Sequence, residues 1–237
     1  AGAWKLNKLI ALYDDNGISI DGQVTPWFID NTPQRFEACG WNVIGPVDGH
    51  DVDAVDGAIV KAKLSADKPT LIVCKTHIGK GSPNRANTAK AHGEPLGKDE
   101  IAATRAAIGW PYGPFEVPAD IYAAWDAREA GAAREETWQK LFEAYAAEHP
   151  AEAAEFERRM RGELPASFDD ALEAALAEAL ARGETIATRK ASQNALNHFG
   201  PAIPDLVGGS ADLTGSNLTD FKGAGALRAD ASFANAR

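Results

Sequence analysis

Short apolar runs alternate with helix-spaced apolar positions through the first third of the chain. Residues 9–13 and 70–75 (TLIVCK) are short apolar runs bounded by turn residues, the pattern of strands buried in a parallel sheet. Residues 41–47 form a weaker strand candidate. Between the last two, Val52, Val55, Ile59, Val60 and Leu64 recur at helical spacing, predicting a helix over 51–66. Strand, helix, strand in that order predicts a βαβ unit in an open α/β sheet. Residues 98–109 read as a helix, and WPYGPFEVP (110–118) as a Pro-rich break. From 119 to 161 the chain is rich in Ala, Glu and Arg and strongly helical by propensity. There Trp138, Leu141, Phe142 and Tyr145 form one apolar face, which serves either as core packing or as a partner-binding surface. Helices follow over 169–182, ended by Gly183, and over 188–199, stopped by Pro201 and Pro204; Leu206-Val207 is a short strand candidate.

Composition narrows the class without naming a function. The 237 residues are 45% hydrophobic and 24% charged, within the range of globular domains. The net charge of −10 argues against bulk nucleic-acid binding, yet leaves room for a local basic pocket that takes a phosphorylated small molecule. Two cysteines, Cys39 and Cys74, make no disulfide framework and fit a reducing, cytoplasmic setting. No apolar run nears the roughly 20 residues that span a bilayer, so no membrane role is expected. The chain opens at Ala1 without a methionine and runs straight into apolar residues, which reads as a piece of a longer polypeptide.

Five stretches could carry chemistry. Asp14-Asp15-Asn16-Gly17-Ile18 follows a strand, where open α/β sheets bind ligands; Asn-Gly is equally a hairpin signal. An Asn side-chain oxygen and a nearby main-chain carbonyl are hard donors suited to Mg²⁺ or Ca²⁺. His77-Ile78-Gly79-Lys80-Gly81 could cradle an anion or be a simple turn, and it matches neither a Walker A nor a Rossmann pattern. His92 lies in a polar loop where it could bind phosphate or move a proton, as could His50, although helix capping by Asp51 explains that neighbourhood. Arg189-Lys190 places two cations at a helix start, which a bound anion or salt bridges to Glu would reconcile. The last stretch is the polar loop 208–217. No zinc-ligand spacing accompanies the cysteines.

Taken in order, YDDNGISIDG (13–22), FEACGWNVIGPVDGHD (36–51), KPTLIVCKTHIGKGSP (68–83), AHGEPLG (91–97), TRKASQNAL (188–196) and GGSADLTGSNLT (208–219) resemble transketolase of the bacterial type, a thiamine-diphosphate enzyme. The likeness runs from about residue 4 to about 219 and would cover an internal fragment. It implies an α/β thiamine-diphosphate-binding fold with a parallel sheet flanked by helices, then a helical connector and the start of a second α/β domain. The implied boundaries are 1–110 for the later part of the diphosphate-binding domain, 111–183 for the connector and 184–237 for the opening of the pyrimidine-binding domain. No Gly-Asp-Gly, the family's further metal-ligand motif, occurs in the chain. The family's catalytic glutamate would lie beyond residue 237, so the isolated chain is expected to be inactive.

By resemblance, the Asn16 side chain and the Ile18 carbonyl would bind Mg²⁺, Ca²⁺ or another divalent cation on the cofactor diphosphate. His92 would be the catalytic residue, touching both cofactor and substrate. Arg189 and Ser216 would hold the sugar phosphate, and Asp212 would sit near the thiamine across a homodimer interface. Two departures are Thr88-Ala89-Lys90-Ala91, where relatives often carry Thr-His, and Gly215, where proline is common. The implied reaction transfers a two-carbon ketol unit from a ketose phosphate to an aldose phosphate, as in the pentose phosphate pathway. Dihydroxyacetone synthase is the rival within the family. A non-catalytic module binding a sugar phosphate or a partner is the rival outside it.

Overall fold

The computed structural model describes residues 1–25 and 27–229, which divide into two compact units, Ala1–Pro118 and Ala119–Arg237. In the first unit, β1 (Ile10–Asp15), β4 (Asn42–Asp48) and β5 (Thr70–Lys75) form a parallel sheet in the order β1-β5-β4. Central β5 is buried from Thr70 to Cys74 because TLIVCK presents apolar or small side chains to both faces. Against it packs α2 (Val52–Ala62) through Ala58 and Ala62, with Ile10, Ile44, Val47 and Ile59 completing the core. The Asp51 carboxylate caps α2, accepting from the Asp53 and Ala54 main-chain N–H groups at 3.0 and 3.1 Å.

Register matters for the site. Asp15 and Asp48 lie opposite Lys75 on either side, so all three strands end level and their following loops leave from one edge. Between β1 and β4 the chain forms a small hairpin, β2 (Ile18–Ser19) with β3 (Gly22–Gln23), and α1 (Thr32–Ala38), capped by the Asn31 side chain. The hairpin turns at Ile20-Asp21, not at Asn16-Gly17 as the Asn-Gly signal suggests. The reason is that the Asn16 side chain folds onto the Ile18 N–H and makes a separate turn. After β5 come α3 (Ala89–Gly93) and α4 (Lys98–Ala107). His92 therefore sits on a short helix rather than in an irregular loop.

The described residues of the second unit form helices and no strand: α5 (Ala119–Trp125), α6 (Arg128–Glu148), α7 (Pro150–Met160), α8 (Phe168–Arg182), α9 (Thr188–Ala202) and α10 (Thr214–Asn217). Of the apolar face of α6, Phe142 is half-buried, whereas Trp138, Leu141 and Tyr145 remain exposed. Trp138 stacks on Phe142 at 5.2 Å between ring centroids, and Phe142 meets Phe156 of α7 at 5.6 Å. Gly183 ends α8 in the left-handed conformation, as expected of a helix C-terminus. Two sequence expectations fail here. The helix α9 continues through Pro201 to Ala202. Pro201 falls in its last turn, so the one i→i−4 bond its ring removes, to the Asn197 carbonyl, is followed by a single further helical residue. Leu206-Val207 forms no strand, since the described residues of this unit hold no other strand to pair with.

Candidate active site

The sheet edge builds the site. β1 delivers Asp15 and then the turn Asn16-Gly17-Ile18, in which Asn16 Oδ1 accepts from the Ile18 N–H at 2.9 Å. Gly17 takes a φ of +72°, the left-handed region where a side chain is disfavoured. Asn16 is half-buried and Ile18 buried. One lone pair of the Asn16 oxygen is engaged and one remains, so this turn fits a hard divalent cation. Two open cavities of about 590 and 640 Å³ share Asp15, Asn16, Gly17, Ile18, Pro46 and Lys75. The larger also reaches Asp48, Thr76, His77 and Asn87.

Its charges are partly spoken for. Lys75 Nζ lies 2.5 Å from Asp15 Oδ2, and the Asp48 carboxylate accepts from the His50 N–H at 2.9 Å. The Thr76 hydroxyl donates to Asp14. No cluster of three or more His, Cys, Asp or Glu suited to a metal occurs among the described residues, so amide and main-chain oxygens at the Asn16 turn are the fitting donors.

A pair of histidines borders this edge. The imidazoles of His50 and His77 stack at 5.7 Å, 13° from parallel. The His77 main-chain N–H donates to His50 Nε2 at 2.7 Å, while His77 Nδ1 lies 3.1 Å from Asn87 Oδ1. In the sequence, His77 is open to a turn as well as to a site, and His50 lies in a neighbourhood that capping by Asp51 explains. The available signal was positional: each follows the C-terminal end of a parallel strand.

The segment after His77 is held by side chains. Glu100 of α4 accepts from the Ser82 hydroxyl, and from the Asn84 N–H and Asn84 Nδ2 at 2.9 Å each. These bonds, Ser82 foremost, pull the Glu100 carboxyl down to about 2. Arg85 Nη1 donates to Glu94 and to the Pro95 carbonyl, both at 3.2 Å. The helix α3 thus lies between two anchored ends, and a Cβ on its Gly93 would meet Ile20 Cδ1 at 3.1 Å. His92 is exposed on this helix, beside the hairpin that follows Asn16.

Asn16, Ile18 and His92 therefore belong to the first unit. Arg189, Asp212 and Ser216 belong to the second. Arg189 stands exposed in the first turn of α9, which has no side-chain cap. Among the described residues it makes no ion pair, so salt bridging to Glu does not account for it. Ser216 lies on α10, and Asp212 precedes it with a φ of +66°. The segment after α10 is tied to α9: Gln193 Nε2 donates to Asp220 Oδ1 at 3.2 Å, and the Lys222 N–H to Asn197 Oδ1 at 2.9 Å.

A family model described as "Transketolase, thiamine diphosphate binding domain" matches residues 1–165. Transketolase 1 of Escherichia coli is 55% identical over 231 residues, covering 98% of this chain and 35% of that protein. Transketolase 2 of Xanthobacter flavus is 56% identical over 224 residues, covering 94% and 33%. Among solved structures, transketolase from Leishmania mexicana superposes with a TM-score of 0.77 at 40% identity, covering 93% of this chain and 32% of that one. A Pichia stipitis transketolase in complex with sedoheptulose-7-phosphate gives 0.79 at 36%, covering 94% and 33%. The chain thus spans about a third of the length of the relatives it matches. A parallel sheet with its strand ends level around the Asn16 turn, matched across most of the chain by that domain's model, belongs to the transketolase family.

Proposed function

We propose that the protein to which these residues belong is a transketolase, transferring a two-carbon ketol unit reversibly from a ketose phosphate to an aldose phosphate. In this reading residues 1–110 are the later part of the diphosphate-binding domain, 111–183 a helical connector and 184–237 the start of the pyrimidine-binding domain. The observation that carries it is the cavity where β1, β4 and β5 end together around the Asn16 turn. Thiamine diphosphate, when bound, supplies the carbon nucleophile that the protein side chains lack.

The chain's own residues bind and orient. Asn16 Oδ1 and the Ile18 carbonyl offer hard oxygens to Mg²⁺, Ca²⁺ or another divalent cation, which offsets the diphosphate charge beside Asp15 and Asp48. His92 holds or moves a proton at the sugar's oxygen atoms. Arg189, with its unshared charge at an uncapped helix start, grips the sugar phosphate together with Ser216. Asp212 serves the thiamine end across a homodimer interface. A cytoplasmic homodimer working on sugar phosphates is the setting this reading implies.

Calorimetric titration of the purified chain with thiamine diphosphate, with and without Mg²⁺, tests it. Binding that requires the metal and is abolished in Asn16→Ala is expected. Absence of binding, or binding unchanged in the variant, would count against the Asn16 turn as the metal-diphosphate site.

A further inference from the structure

The two stacked histidines are not equivalent, and the difference follows from their hydrogen bonds. Asn87 Oδ1 can only accept, so His77 carries its proton on Nδ1, and its Nε2 has no partner among the described residues. His50 Nε2 accepts the His77 main-chain N–H at 2.7 Å, so the His50 proton sits on Nδ1. A second proton on His50 would put two donors face to face and break that bond. A second proton on His77 breaks nothing. His77 is therefore the ring able to become a cationic donor while the loop keeps its shape.

The charges that line the cavity with His77 show why a donor is needed. Asp15 comes from β1, Asp48 from β4 and Lys75 from β5, and Lys75 is already paired with Asp15. On the Asn87 side, Arg85 is engaged by Glu94. Carboxylates outnumber free cations, so an anion entering the 640 Å³ cavity needs both a divalent cation and an additional positive donor.

We propose that His77 is a further binding residue of this cavity, donating from Nε2 to an oxygen of the metal-bound phosphate-bearing anion, with His50 and Asn87 as its positioning residues. The inference rests on the reading of the Asn16 turn as the metal-diphosphate site. Anion binding then draws a proton onto His77 and not onto His50.

Nitrogen NMR of the ¹⁵N-labelled full chain, titrated with inorganic pyrophosphate and Mg²⁺, reads both claims at once. The expected result is that the His77 Nε2 signal moves from the lone-pair to the protonated range while His50 keeps its tautomer, as the Asn16–Ile18 amide signals shift. His77→Gln, which keeps a neutral donor, should bind pyrophosphate severalfold more weakly, and His77→Phe roughly tenfold more weakly, the scale of one charge-assisted hydrogen bond. Shifts at Asn16–Ile18 with His77 unmoved would overturn the proposal and leave the metal-diphosphate reading standing. No shift at either place would overturn both. The wild-type spectra decide even if a variant fails to fold.

Discussion

Ile72 has no exposed surface and stands mid-strand in β5, between β1 and β4 and against Ala58 and Ala62 of α2. Ile72→Ala should cost about 2–5 kcal/mol, read as a lower urea midpoint with an unchanged denaturant slope. That residue was legible from sequence because a continuous apolar run bounded by turn residues has few other uses. Asn16 was half legible: its chemistry and its place after a strand were evident, but its turn was not. The side-chain bond to the Ile18 N–H moves the hairpin onward to Ile20-Asp21, and such local competition leaves no periodic trace. His77 was harder still. Its free nitrogen follows from partners at Asn87 and His50, the latter 27 positions away in sequence.

At the scale of elements, α4 matters less for its own packing than for what Glu100 holds. The carboxyl lies near 2 in the folded chain against an ordinary 4.5, so its bonds to Ser82 and Asn84 contribute fully above the ordinary value. That contribution disappears as pH falls toward 2. Glu100→Gln should therefore be less stable than wild type at neutral pH, and the gap should close on acidification between about pH 4.5 and pH 2. Thermal unfolding across that range checks it. Long elements were legible, and α2, α4, α8 and α9 lie within a few residues of the periodic reading. The short ones, β2, β3 and α3, were not, because two to five residues show no period. Leu206-Val207 shows the opposite limit: a strand-like pattern is empty without a neighbour to bond.

Across the whole molecule, the chain divides at Pro118, where the Pro-rich stretch ends, into a unit that carries Asn16, Ile18, His77 and His92 and a unit that carries Arg189, Asp212 and Ser216. No described helix is long and apolar enough to cross a membrane. The distribution of candidate residues over two units was legible only through resemblance, since nothing periodic links a phosphate-gripping Arg189 to a metal-binding turn far upstream.

One consequence of the buried central strand concerns its sulfur. Cys39 is exposed, whereas Cys74 is buried in β5, one residue before Lys75, and burial followed by the charge of Asp14 pushes its thiol up. The two thiols therefore report different events. A maleimide should label Cys39 at once and Cys74 only as fast as the sheet opens. In Cys39→Ser, the labelling rate becomes a clock for opening of the first unit. Mg²⁺ with thiamine diphosphate should slow that clock by stabilising the closed form, and mass spectrometry of the labelled chain would measure it; a rate indifferent to the ligand would separate the sheet's opening from occupation of its edge.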